Sequence, residues 1–280
     1  MNRLTVISAA ALGALAAVYA YGAWVYEGKW GSKGSGNGEF SSPVRLAVAA
    51  NGHVYVADWG NLNVQYFTPV GSFLGKWTPR TRLALAFAPN RWLYQADVDN
   101  CRIQYFDENG SFRGQWGKYG TGPGEFDGPM GLGVAPNRVV DVADTGNRRI
   151  QYFTPTGSYI GEWGARDDPT DVAVDSSGEF HTAYSPDMGV AVAPYTDWVY
   201  VTDTENHRIQ YYTGSGSFLG KFGSYGDGDG EFDRPSDVAF SASGARLYVA
   251  DAGNCRIQYF RWTEPAVSPA SLGRVKALFR

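Results

Sequence analysis

Five near-copies of one short string set the terms on which this chain can fold: Asn63-Val-Gln-Tyr-Phe67, then Arg-Ile-Gln-Tyr followed by Phe or Tyr, beginning at Arg102, Arg149, Arg208 and Arg256. Each stands behind an Asp-x-x-Asn: Asp58 with Asn61, Asp97 with Asn100, Asp144 with Asn147, Asp203 with Asn206, and Asp251 with Asn254. The aspartates are spaced 39 (58 to 97), 47 (97 to 144), 59 (144 to 203) and 48 residues (203 to 251) apart. Such a period belongs to four-stranded propeller blades of about 40–50 residues, not to helical repeats.

Within each unit apolar residues alternate with period two, as in His53-Val-Tyr-Val-Ala-Asp58, between turns rich in Gly, Pro, Asn and Ser. A unit therefore reads as a small antiparallel sheet. The 59-residue gap holds an extra, shortened unit. Asp171-Val-Ala-Val174 and Phe180-His-Thr-Ala183 read as two strands, Tyr184 stands where an Asp is due, and the next unit begins at Gly189. The last unit lacks a fourth strand after Phe260, while Trp24-Val-Tyr-Glu-Gly-Lys-Trp-Gly31 at the start has the form of one. The expectation is an all-β six-bladed propeller whose N-terminal strand closes the C-terminal blade and whose fourth blade is truncated. Closure of that kind removes exposed sheet edges.

The strings Pro169-Thr-Asp-Val-Ala-Val174, Val199-Tyr-Val-Thr-Asp-Thr-Glu-Asn-His-Arg-Ile-Gln210 and Gly216-Ser-Phe-Leu-Gly-Lys-Phe-Gly223 resemble NHL repeats over about residues 24–260. The family pattern is broken in the short fourth unit and at Asn63, where Arg is the rule. The resemblance implies a six-bladed ring that serves as a binding or scaffolding module. Some propellers of this kind are enzymes, so it also implies an alternative: a divalent-cation-dependent lactonase or lyase.

The repeated Asp58, Asp97, Asp144, Asp203 and Asp251, with Arg102, Arg149, Arg208 and Arg256, read as structural groups that cap a turn and pair with each other. Residues that vary at equivalent places on the same face are the ligand-reading candidates. Arg45, Asp171 and Asp237 start inner strands at the channel mouth, with Trp59, Asp99 and Glu205 in the neighbouring loops. This set suits a protein, a peptide or a polar ligand, and no catalytic residue is assigned. Three long Gly-rich loops, 31–43, 117–129 and 223–235, extend the same face, which makes it the binding candidate.

No cofactor or metal is assigned. Asp227, Asp229, Glu231 and Asp233 alternate with Gly or Phe in a manner that suggests calcium, but the counterpart loops lack these aspartates. His53, His181 and His207 fall at unrelated strand and loop places, which disfavours a three-histidine metal site. Cys101 and Cys255 occupy equivalent positions on different units and read as buried thiols. A net charge of −4 without a Lys/Arg cluster disfavours nucleic acid. The expected assembly state is a monomer.

Arg3 and an uncharged run from Leu4, with Val18-Tyr-Ala20 as a small-residue cleavage pattern, make residues 1–20 a signal peptide or a membrane anchor. Residues 21–262 are then the propeller, and residues 263–280 a linker and a short basic tail. The expected location is extracytoplasmic, whether periplasmic, cell-surface or secreted, with N-terminal membrane anchoring as the alternative.

Overall fold

The computed structural model describes residues 23–263, apart from 90, 108–109, 136, 165–170, 175–179, 184–188 and 195. The expected leader, Tyr184 and residues 264–280 lie outside the described residues. Residues Trp24–Arg261 form one compact unit. The Thr263 hydroxyl donates to the Ala23 carbonyl at 3.0 Å.

The all-β propeller is present, with one correction to the blade count. Among the described residues there are five four-stranded blades, not six. Unit one pairs Pro43–Val48, Val54–Asp58, Asn63–Phe67 and Phe73–Trp77 in sequence order. Unit two uses Leu83–Phe87, Leu93–Asp97, Arg102–Phe106 and Phe112–Trp116. Unit three uses Pro129–Val134, Val140–Asp144, Arg149–Phe153 and Tyr159–Gly164. Unit five uses Val190–Val192, Val199–Asp203, Arg208–Tyr212 and Phe218–Phe222. Unit six pairs Pro235–Phe240, Arg246–Asp251 and Arg256–Thr263 with the N-terminal strand Ala23–Trp30.

Unit four is a two-stranded sheet of Asp171–Val174 and Phe180–Ala183. Its inner strand lies between the inner strands of units three and five, and the inner strand of unit six returns to that of unit one. The stretch from Asp171 to Gly189 is long enough for two strands and a return, which is why the sixth place in the ring is not a full blade.

Both faces of each blade are covered, and this accounts for the nearly continuous apolar runs. Adjacent residues of a strand point to opposite faces. Val54 and Val56 accordingly pack toward Tyr248 and Ile257 of unit six, while Tyr55 and Ala57 pack toward Leu85 and Phe87 of unit two.

The Gly-rich loops drive a further ring into three of the interfaces. Phe40, Phe126 and Phe232 are wholly buried, at 5.7, 5.6 and 5.8 Å from Phe67, Phe153 and Phe260. Gly31 is required at the start of the first loop: its φ is +100°, and a Cβ would stand 2.6 Å from the Phe40 ring.

Candidate functional site

The face holding the Gly-rich loops is built from the repeat string outward. Asp144 is fully buried; its carboxylate accepts from Arg149 Nε (2.7 Å), Gln151 Nε2 (2.9 Å), Asn147 Nδ2 (3.0 Å) and the Asp127 backbone N–H (2.7 Å). Asn147 donates back to the Gly120 carbonyl at 2.8 Å, and Arg149 donates to the carbonyls of Gly122 and Glu125. Asp251, Asn254, Arg256 and Gln258 repeat the arrangement on the loop at residues 223–235. Each string thus clamps the loop that enters its own blade. Charged donors on a buried carboxylate make the strongest hydrogen bonds available to it.

Unit one shows how Asn63 is accommodated. Asp58 accepts from the backbone of Ser41 and Ser42 and from Asn61, so the loop is held without the usual arginine. The clamping glutamines escaped the sequence reading. Gln65, Gln151 and Gln258 each accept from a loop glycine N–H at 2.8–2.9 Å and donate to a loop glutamate carbonyl. Their invariance within the five-fold string was the available signal.

In units two and five, without a preceding Gly-rich loop, Asp97 stays buried while Arg102, Arg208 and Asp203 are more exposed. Arg102 pairs with Asp97 at 2.9 Å and Arg208 with Asp203 at 2.6 Å. Burial raises the Asp203 pKa, but hydrogen bonds from Asn206 and Arg208 outweigh it and hold the carboxyl below its ordinary range. Asp144→Ala is expected to cost about 3–5 kcal/mol, because it breaks a buried ion pair and removes the shared acceptor of Arg149, Gln151, Asn147 and the Asp127 N–H. Asp203→Ala should cost about 1–2 kcal/mol, the value of partly solvated hydrogen bonds. Urea unfolding of the two variants checks the difference, and equal losses would refute it.

At the channel the structure brings together Arg45, Asp171 and Asp237, but as buried groups, at 2, 7 and 4% exposure. Asp237 Oδ2 accepts from the Leu46 N–H of unit one at 2.7 Å, and Asp171 Oδ2 from the Val190 N–H of unit five at 3.1 Å. Each carboxylate therefore ties one inner strand to the next. Arg45 reaches across the channel to the Met130 carbonyl of unit three at 3.4 Å. Burial, then the Asp171 charge, raise the Asp237 pKa, with Arg45 opposing them. Gly189 is obligatory beside them, since a Cβ there would stand 2.1 Å from Asp237 Oδ1.

Toward the rim, the Trp59 ring lies between the guanidinium groups of Arg45 and Arg82, at 5.9 and 5.6 Å. Arg82 Nε in turn donates to Asp99 at 2.9 Å. Burial raises the Asp99 pKa, but the Arg82 contacts more than offset it and lower the carboxyl. Arg45, Trp59 and Asp99 thus form one connected line. Glu205 is apart from it, 80% exposed and 3.3 Å from Arg234.

The aspartate-rich loop turns its groups to different tasks. Glu231 Oε2 accepts from the Gly228 N–H, and Asp229 pairs with Lys29 at 2.8 Å, which lowers its pKa. Among the described residues no three His, Cys, Asp or Glu side chains come together as a metal group. His207 Nδ1 accepts from the Arg234 N–H, and His53 lies beside Asn51. His207, Cys101 and Cys255 share a left-handed backbone with φ of 52–54°, which marks them as one turn position. Both thiols are buried, and burial pushes that of Cys255 up.

What the face offers to solvent is aromatic. Tyr119 and Tyr225 stand at equivalent places in two clamped loops and are 72 and 70% exposed. Their backbones bridge to Phe126 and Phe232, so each ring projects from an anchored segment. At the other end the channel forms a cavity of about 530 Å³, lined by apolar residues of the inner strands such as Val48, Val134, Val192 and Phe240.

The NHL repeat model matches residues 40–67 and 232–260. Comparison with curated proteins finds no match. Among solved structures the chain is similar to a streptogramin B lyase, with 11% identity, a TM-score of 0.59, and coverage of 86% of this chain and 98% of the other. It is also similar to virginiamycin B lyase from Staphylococcus aureus, with 13% identity, a TM-score of 0.53, and 82 and 87% coverage. Hydrazine synthase from Kuenenia stuttgartiensis gives 12% identity, a TM-score of 0.58, and 84 and 99% coverage. At such identities these likenesses speak for the fold alone.

Proposed function

For this chain, an NHL-repeat β-propeller, we propose an exported binding or scaffolding module that takes a protein or peptide partner on its loop-rich face. The observation that carries the reading is the pair of exposed tyrosines, Tyr119 and Tyr225, on loops whose backbones are fixed by buried clamps. A rigid aromatic side chain contributes large contact area at little cost in conformational entropy, and such residues dominate interface energetics. Export rests on the composition of residues 1–20. The test is partner capture from envelope extracts with the wild type and with the Tyr119→Ala/Tyr225→Ala double variant. Capture is expected to fall at least about tenfold, with no change in melting, since both rings are exposed. Undiminished capture would move the site elsewhere.

A second reading, a divalent-cation-dependent lactonase or lyase, is favoured by one feature: the buried Asp171 and Asp237 at the channel. Both carboxylates already accept backbone hydrogen bonds from the next strand, and Arg45 supplies the local positive charge. Elemental mass spectrometry on protein purified without chelator discriminates the two readings. A stoichiometric divalent ion that is lost in the Asp171→Asn/Asp237→Asn variant would put the enzyme first.

A further inference from the structure

We propose that the interface between units one and two is a binding slot for a small, planar, hydrogen-bonding aromatic ligand, separate from the loop face. At the interfaces served by Gly-rich loops, the loop phenylalanine fills the space between facing blades. Phe40 does so beside Trp30 and Phe67, and Phe126 beside Trp116 and Phe153. Units one and two are joined only by residues 78–82, which bring no phenylalanine.

The place such a ring would fill is a cavity of about 670 Å³ walled by Tyr55, Tyr66, Trp77 and Phe106. This volume lies within the range of small-molecule pockets, about 300–1,000 Å³. Phe106 records the difference: it is only partly buried, whereas its counterparts Phe67, Phe153 and Phe260 are wholly or almost wholly enclosed.

The polar lining is what turns a packing gap into a site. Gln95 stands where the other blades carry Val56, Val142, Val201 and Val249. It is 4% exposed overall and lines the cavity. A ligand edge carrying a donor and an acceptor would pair with this amide and shield the bond from water.

Gln104, the counterpart of the loop-clamping glutamines, has no loop to hold. Its amide lines the same cavity and donates to Gln115 at 3.3 Å. The nearby Asp107 is already paired with Arg113 at 2.6 Å. The geometry thus selects a flat ring in the phenylalanine's place, with a polar edge against Gln95.

Ligand-observed NMR titration with indole-3-acetate tests this, with cyclohexaneacetate as the non-planar probe of equal charge. Saturable binding of the indole is expected. Gln95→Val, which installs the residue of the other blades, should weaken it about tenfold, the worth of one buried hydrogen bond, without lowering the melting temperature. Cyclohexaneacetate should bind at least about tenfold more weakly than the indole. Absence of saturable indole binding, equal affinity in Gln95→Val, or equal binding of the two probes would overturn the proposal.

Discussion

A chain lacking residues 1–30 is expected to lose its cooperative unfolding transition, whereas one lacking only residues 1–22 should retain it. The strand Ala23–Trp30 closes unit six against Arg256–Thr263, and its aromatic side chains reach three units. Trp24 packs against Tyr200, Phe222 and Phe240, and its indole N–H donates to the Tyr200 hydroxyl at 3.2 Å. Tyr26 meets Phe260, and Trp30 meets Phe67, Tyr248 and Tyr259.

Trp24, Tyr26 and Trp30 are half-buried, so each contributes less than the roughly 3–5 kcal/mol of a fully buried aromatic, yet the three together still approach the whole stability of a typical domain, about 5–15 kcal/mol. The deletion also leaves an unpaired sheet edge. Circular dichroism melting of the two truncations decides the matter, and equal transitions would refute strand closure. Trp30→Ala alone should cost less than about 3–5 kcal/mol and keep the transition cooperative.

Wild-type stability is expected to fall between pH 5 and pH 8, and Asp141→Asn should remove about 2–3 kcal/mol of that fall. Asp141 stands in the strand Val140–Asp144 where the other blades carry Tyr55, Tyr94, Tyr200 and Tyr248. It is fully buried, neither carboxyl oxygen has a hydrogen-bond partner, and burial pushes its pKa up to about 7. The ordinary aspartate pKa is about 3.9.

The folded protein therefore holds the proton over a range in which the unfolded chain has released it. The associated stability is complete below about pH 4, declines as pH rises toward the folded value, and is gone above it. Asp237, also raised, contributes a residual slope of the same sign in the Asn variant. Urea unfolding at the two pH values measures both proteins, and an unchanged slope in Asp141→Asn would overturn the assignment. Asp141→Tyr should remove the same dependence.

The strand positions were legible because alternation and turn residues act locally. The repeat period then showed where each unit begins. Asp144, Asp251, Arg149 and Arg256 could be singled out as repeated groups, yet that they hold the incoming Gly-rich loops became visible only when the loops were folded beside them. The blade count of five needed the structure too, since a two-stranded sheet still occupies a place in the ring.

The channel residues show the limit most clearly. Their equivalent positions placed Arg45, Asp171 and Asp237 near one another. Burial and backbone pairing, which depend on strands up to 191 residues apart, made them ties between blades.

By itself, then, the sequence determined the repeating sheet, the closing strand and the face on which the loops gather, because period, alternation and turn chemistry act within a few residues of the chain. The tertiary structure alone decided which polar groups are enclosed and which face solvent. It buried Asp141 without a partner, opened a cavity beside Gln95, and left Tyr119 and Tyr225 outside. Desolvation and packing at an interblade surface depend on both blades at once, and no single segment encodes them.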